Sequence, residues 1–505
     1  KEKKEKKDGE DKEKEMEEDN KMEKIVENLA ALRIERVSCD RKKNDIEFSY
    51  ASVLKAIVTN EQVQALFRSN QIHQYNLEYQ LWCPLLETFA KRSDQENTMH
   101  AFKALKEAMQ TEKLSFVPKF QQLSRHDSPE IISVTKSCES LCKKLSPTSH
   151  FFEEREDIRL RILNIVKNCP SMPQETEVAV FGSSANGFGS ATSDVDMCIK
   201  LPPNFHFDDP PVAMGRLAED LEEAGMLKLS ARLTARIPII LFEDCETKME
   251  CDISMENPLS VLNTELLSTY ANIDKRVREL GYIVKKWAKA RNLNSPSEGT
   301  LSSYGYILMI IHFLQRRSRP IVPNLQRMKP DGKLVQSKEE IPVMSFQHPT
   351  ERDFHVNTYF YKPKDKISLK SLQNMANKNS ESTGVLLANF FYYYAIEFDY
   401  RQHVVSVNVD ATLEKDLKAE IDCWSMRNNL AIEDPFETFY DVAHVVKPSK
   451  FHHLREEFAM AYTKIINFVH SKDSLSEPDA SKIDLMDIIC CDTPSFQNGE
   501  NNLDA

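Results

Sequence analysis

Acidic and small residues in one short stretch could do phosphate chemistry. From Phe181 to Lys200 the chain reads FGSSANGFGSATSDVDMCIK. The stretch follows an apolar, strand-like run from Val178 to Phe181. Its Gly182-Ser183 turn lets backbone amides and a small hydroxyl come close to a phosphate with no bulky side chain in the way. Asp194-Val195-Asp196 then opens a second apolar strand. The two-residue strand period puts both carboxylates on one face, with Val195, Met197 and Ile199 on the other. Carboxylates sharing a face repel each other unless a cation sits between them, so a hard divalent metal with oxygen ligands is the natural occupant. A Gly-Ser turn alone is usually a loop, and an Asp-x-Asp alone a solvated strand end; the joint pattern carries the meaning.

A third carboxylate follows. Between Ile237 and Met255 the chain reads IPIILFEDCETKMECDISM, two apolar runs around a polar turn near Asp244 to Thr247, which is the pattern of a β-hairpin. Along the second arm Met249, Cys251, Ile253 and Met255 alternate with Glu250, Asp252 and Ser254, placing Asp252 on the polar face. Three such carboxylates can hold two Mg²⁺ ions about 4 Å apart, one to activate an attacking hydroxyl and one to carry a triphosphate and its leaving pyrophosphate. The chemistry implied is nucleotidyl transfer. Asp252 is also the best candidate to take up the proton of the attacking hydroxyl.

Gly-Ser, Asp-x-Asp and a later strand Asp, in that order, resemble the DNA-polymerase-β-like nucleotidyltransferases. CDISMENPLSVLNT (Cys251 to Thr264), VKKWAKAR (Val284 to Arg291), GTLSSYGY (Gly299 to Tyr306) and AIEDPFE (Ala431 to Glu437) narrow the resemblance. They look like the cytoplasmic terminal uridylyltransferases and the non-templated poly(A) polymerases, in collinear order over residues 151–470. The resemblance implies an α+β, two-lobed enzyme. Its mixed β-sheet, palm-like catalytic domain would cover 175–256. A mostly helical central domain would come from 151–174 and 257–470, with a poly(A)-polymerase-associated segment at about 380–440. It also implies template-independent extension of an RNA 3′ end, with Mg²⁺, or Mn²⁺ in its place, held by Asp194, Asp196 and Asp252.

For the nucleotide, the resemblance points to Gly182, Ser183 and Asn257, and to Asn263 and Thr264 at the ribose and base. Lys285 and Lys289 lie four residues apart on one expected helix face, where two ammonium groups repel unless an anion such as a triphosphate is present. Ser303 would assist the phosphates, and Tyr304 would stack on the base, an interaction largely blind to base identity. The bland readings are helix capping by Asn263 and Thr264, surface lysines, and a core tyrosine. Asp274 is expected to cap the helix that carries the lysines.

Base choice is expected to lie between Ile432 and Tyr440. Glu433, Asp434 and Glu437 offer acceptors for the N–H of a uracil edge or the amino group of an adenine. In the uridylyl-adding members a histidine that crowds out purines stands where this chain has Tyr440. A tyrosine keeps the bulk and a hydroxyl that can donate or accept. The resemblance therefore favours UTP, with ATP as the alternative.

A chain of 505 residues, 41% of them hydrophobic, has room for several domains and a sizeable core. Residues 1–24 are a Lys/Glu run expected to be disordered, as is the acidic tail over 471–505. Residues 25–150 carry apolar residues at helical spacing, as in SYASVLKAIVTNEQVQALF, and are expected to form a helical N-terminal extension available to a protein partner. A net charge of −12 argues against coating nucleic acid along the whole surface. A local basic track from Lys275 to Arg291 could still seat a few nucleotides of single strand. Arg236, within TARIPII (Thr234 to Ile240, read as a central strand), is a weaker RNA-binding candidate. No apolar run reaches the ~20 residues needed to cross a bilayer, and the 11 cysteines lack paired CxxC spacing, so a cytoplasmic location without membrane contact is expected. Two other classes compete. An inactive RNA-binding scaffold predicts a lost metal carboxylate, and a transferase acting on small molecules predicts activity without an RNA primer.

Overall fold

The computed structural model describes residues 129–190, 193–202, 205–235, 237–335, 341–347, 355–425, 429–470 and 484–490. The expectations for residues 1–24 and for most of 25–150, and Arg236, lie outside them. The chain divides into two compact units. The described residues of one lie within 129–391, 398–454, 461–470 and 484–490. The described residues of the other are Tyr392–Glu397 and Arg455–Met460, where the Tyr394 and Phe458 rings lie 5.8 Å apart.

In the first unit, helices α1 (Pro129–Leu145) and α2 (Ser149–Asn168) precede β1 (Glu177–Phe181), a single 3₁₀ turn (Gly182–Ser184) and β2 (Val195–Lys200). Helix α3 (Pro210–Glu223) leads into β3 (Leu227–Arg232), β4 (Ile239–Glu243) and β5 (Glu250–Met255). The sheet order is β1-β2-β5-β4-β3. β2 and β5 run parallel while the other neighbours run antiparallel, so the sheet is mixed. The strand alternation read from the sequence appears as a two-faced sheet: Val195, Met197, Ile199, Cys251, Ile253 and Met255 point into one apolar core with Met214, Leu217 and Leu221 of α3.

Helix α2 differs from its expected place. Its apolar stripe, Ile158, Ile162 and Val166, belongs to the core of the sheet, because those residues recur at helical spacing and the open sheet face needs covering. Of the segment TARIPII, Ile239 and Ile240 alone among the described residues lie in an inner strand, β4. Thr234 and Ala235 turn the chain between β3 and β4, and extended pairing resumes only at Ile239.

The helices after the sheet are α4 (Pro258–Ile273), α5 (Lys275–Ala290), α6 (Ser303–Gln315), α7 (Lys366–Ala376), α8 (Thr383–Tyr392), α9 (Lys415–Asp422), α10 (Pro448–His470) and α11 (Leu485–Cys490). Asn257 caps α4, accepting from Ser260 N–H at 3.4 Å, so Asn263 and Thr264 sit inside that helix and are not its caps. Asp274 caps α5 by accepting from Arg276 N–H at 2.9 Å. α11 falls within the tail expected to be disordered. Leu485 and Ile489 are buried, and Arg291 donates to the Cys490 carbonyl at 2.9 Å; the apolar run LMDII supplies one buried face inside an otherwise polar stretch. Among the described residues no helix is long and apolar enough to cross a membrane.

Candidate active site

Asp196 and Asp252 are direct register partners on the parallel strands β2 and β5, whose axes run roughly 4.8 Å apart. Asp194 stands just before β2 begins. The polar face of the sheet thus gathers the carboxylates that the sequence singled out. Burial, then the charges of Asp252 and Asp194, push the Asp196 carboxyl up to about 7, against a backbone hydrogen bond from Ser183. Burial and the charge of Asp194 raise Asp252. Burial and Glu250 raise Asp194, with Lys289 and Arg155 opposing. Among the described residues no group of three or more acidic, His or Cys side chains closes on one metal-sized point. All three donors are hard carboxylate oxygens that repel one another, and that set fits a divalent cation such as Mg²⁺, which would remove the repulsion.

The Gly182 turn explains itself sterically. Its φ is +67°, and a β-carbon there would lie 2.0 Å from Asp196 Oδ2. Only glycine allows the carboxylate to rest against the turn.

The segment between β1 and β2 is held from the helices. Gly182 N–H donates to Thr264 Oγ1 at 2.9 Å, and Thr264 in turn donates to the Ser260 carbonyl at 2.8 Å. Tyr282 donates to the Gly187 carbonyl at 3.2 Å, and Lys285 Nζ to the Phe188 carbonyl at 2.8 Å. Phe188 is buried against Gly281, where a β-carbon would meet Phe188 Cδ1 at 2.4 Å. Burial lowers the Lys285 ammonium to about 8, against the pull of Asp196. Lys289 is exposed one turn further along α5. Thr264 and Lys285 therefore sit at the site, and both are engaged in shaping the turn.

Two residues escaped the sequence reading. Arg232 of β3 is among the charges acting on Asp252, opposing its rise. Arg155 of α2 is buried and donates from Nε to Ser184 Oγ at 3.0 Å. Neither carries a local signal, since an arginine in an amphipathic helix or on an edge strand reads as a surface charge.

Asp434 is a second hub, joined to α4 through Asn263. Tyr304 Oη donates to its Oδ2 at 2.9 Å, with Asn263 Nδ2 at 3.4 Å, while its Oδ1 accepts from the backbone N–H groups of Phe436 and Glu437, each at 2.9 Å. Burial raises the Asp434 carboxyl, partly offset by those backbone donors. Asp434 thus ties Tyr304 and Asn263 to the segment leading to Tyr440, whose ring meets that of His444 edge-on at 5.2 Å. Glu437 is half-buried, and Ser303 accepts from Asn294 at 2.9 Å. Glu433 departs from its expected role as a base acceptor. It is buried against Lys418 Nζ at 2.9 Å and accepts from Ser406 and Asn408, so its carboxylate is spent inside the fold.

A mixed sheet with Asp196 opposite Asp252 beside a glycine turn defines a nucleotidyltransferase fold. The chain matches a family described as poly(A) RNA polymerase, mitochondrial-like, central palm domain over residues 134–272, and the Cid1 family of poly(A) polymerases over residues 382–438. It is 32% identical to terminal uridylyltransferase 4 of Homo sapiens over 305 residues, 59% of this chain and 17% of that protein. It is 29% identical to poly(A) RNA polymerase cid11 of Schizosaccharomyces pombe over 364 residues, 70% of this chain and 68% of that protein. The chain thus spans under a fifth of the uridylyltransferase it matches. Among solved structures, the Cid1 poly(U) polymerase with Mg and 3′-dATP bound, from work on its UTP selectivity, superposes with a TM-score of 0.54 at 28% identity, covering 69% of this chain and 97% of that one. By these matches the chain is similar to the terminal uridylyltransferases and the non-templated poly(A) polymerases, and it has their nucleotidyltransferase fold.

Proposed function

We propose that this chain is a template-independent RNA 3′-terminal nucleotidyltransferase, adding uridylyl residues from UTP to an RNA end and releasing pyrophosphate. The observation that carries the reading is the register pairing of Asp196 with Asp252 beside the Gly182 turn. Asp194, Asp196 and Asp252 would hold divalent cations, whose charge would favour the 3′-alkoxide and offset that of the triphosphate. The Mg bound in the Cid1 poly(U) polymerase supports the choice of ion.

The residues of the chain divide the remaining work. Asp252 accepts the 3′-hydroxyl proton. The turn at Gly182 and Ser183, with Ser303, faces the phosphates. Lys285 exchanges the Phe188 carbonyl for a triphosphate oxygen and acts with Lys289. Asn257 caps the helix that carries Asn263 and Thr264, placing Asn263 by the ribose while Thr264 fixes the turn. Tyr304, held by Asp434, stacks on the base, and Glu437 and Tyr440 read its edge. Arg236 contacts the RNA backbone. A cytoplasmic location, and a protein partner for residues 25–150, belong to the same reading.

A second reading, ATP as donor, is favoured by one observation: Tyr440 stands where the uridylyl-adding relatives are expected to have histidine. Incubating the purified chain with Mg²⁺, a short RNA and each of the four NTPs in turn separates the two. A ladder strongest with UTP supports the first choice, a stronger ladder with ATP rejects it, and nucleotide products formed without primer would reject RNA as substrate.

A further inference from the structure

Two of the three carboxylates are placed by the sheet itself. Asp196 and Asp252 lie inside β2 and β5 and are locked by ladder register. Asp194 is not, because β2 begins at Val195. Something else must fix its backbone, and the observed contacts converge on one buried side chain.

Arg155 of α2 is 3% exposed. Its Nη2 donates to the Ser193 carbonyl at 2.5 Å and its Nε to Ser184 Oγ at 3.0 Å. Ser184 Oγ passes the link on by donating to the Asp194 carbonyl at 2.7 Å. The third arm, Nη1, donates to the Phe151 carbonyl at 3.2 Å, and the guanidinium carbon sits 3.4 Å from the centre of the Phe151 ring. The rigid planar fork therefore reaches both backbone carbonyls that precede β2, one directly and one through a serine. A buried guanidinium has to satisfy its donors, so it cannot shift without releasing those carbonyls.

We infer that Arg155, acting through Ser184, is a positioning residue that fixes the backbone of Asp194 and so completes the metal-binding set. The inference rests on the nucleotidyltransferase reading above. Outer partners that orient metal ligands are typically worth 10–100-fold in metal affinity or activity. A lysine at this position could reach one of the partners but could not span them, so Arg155→Lys keeps the charge and loses the fork. Ser184→Ala removes a single hydroxyl and leaves the arginine in place.

The test is Mn²⁺ alone, titrated into the full chain by electron paramagnetic resonance or calorimetry, for wild type, Arg155→Lys, Ser184→Ala and Asp194→Ala, with thermal unfolding of each without metal. Primer extension is followed in parallel against Mn²⁺ concentration. Folded Ser184→Ala and Arg155→Lys should bind Mn²⁺ about tenfold more weakly, and their extension rates should recover at high Mn²⁺, whereas Asp194→Ala should not recover. Wild-type Mn²⁺ affinity and wild-type metal dependence in the folded variants overturn the role of Arg155. Failure of the underlying reading looks different: Asp194→Ala would then bind Mn²⁺ as tightly as wild type.

Discussion

A β-carbon on Gly182 would lie 2.0 Å from Oδ2 of Asp196. The turn and the carboxylate occupy one space, so the glycine turn and the strand that carries Asp196 are a single sterically coupled object. Gly182→Ala meets this contact and a φ of +67° together. Backbone strain of this kind costs roughly 1–3 kcal/mol, and displacement of Asp196 should lower primer extension by about 100-fold or more. Extension kinetics and denaturant titration measure the two effects; an alanine variant with wild-type rate would show that the carboxylate does not need this position.

The cluster also predicts how stability depends on pH in the metal-free protein. The Asp196 carboxyl is raised from 3.8 to about 7, by burial and then by Asp252 and Asp194. Between those values the folded state holds more protons than the unfolded one, so stability falls as pH rises through that window. Thermal midpoints taken in chelator should therefore drop from about pH 4 to pH 7 more steeply in wild type than in Asp196→Asn. Parallel curves would mean that the carboxylates do not share a repulsive site.

Asp244 is fully buried at the turn between β4 and β5, where it accepts from Thr247 N–H and Oγ1, both at 2.8 Å, and from Arg161 Nε at 3.0 Å. That turn sets the hairpin carrying Asp252. Arg161→Ala leaves the carboxylate buried without its cation and should cost about 3 kcal/mol, measured by denaturant unfolding. A change below about 0.5 kcal/mol, the size of a surface substitution, would contradict the pairing.

Much of the site could be read from the sequence because its signals are local. The alternation that puts Asp196 and Asp252 on the polar face is a two-residue period, and each strand displays it by itself. Asp274 announces its helix by a side chain two positions from the N–H it caps. What could not be read required contacts across the chain. Arg155 looks like any charge on an amphipathic helix until Ser184 and Ser193 are brought to it. Glu433, Asp434 and Glu437 offer equivalent acceptors in one dimension. The fold buries Glu433 against Lys418 and leaves Asp434 to hold Tyr304. The helix Leu485–Cys490 hid in the same way, its few apolar residues meaningful only once another surface is there to cover them.

Base preference should respond to the Tyr440 side chain, which packs edge-on against His444. Tyr440→Ala opens the space that would crowd a purine, and should shift the ratio of UTP to ATP incorporation toward ATP by about tenfold, the scale of one contact in a base-reading pocket. The measurement is kcat/KM for each nucleotide on the same RNA. An unchanged ratio would remove Tyr440 from the base-reading edge.

The most direct measurement compares primer extension by wild type, Asp196→Ala and Asp252→Ala with UTP and Mg²⁺ on a short RNA, each protein checked for folding by thermal melting. Both variants should melt as high as the metal-free wild type, or higher, since each loses one member of a repulsive group, and both should lose extension by at least about a thousandfold. A folded Asp252→Ala protein that extends RNA at the wild-type rate would contradict the account at its centre.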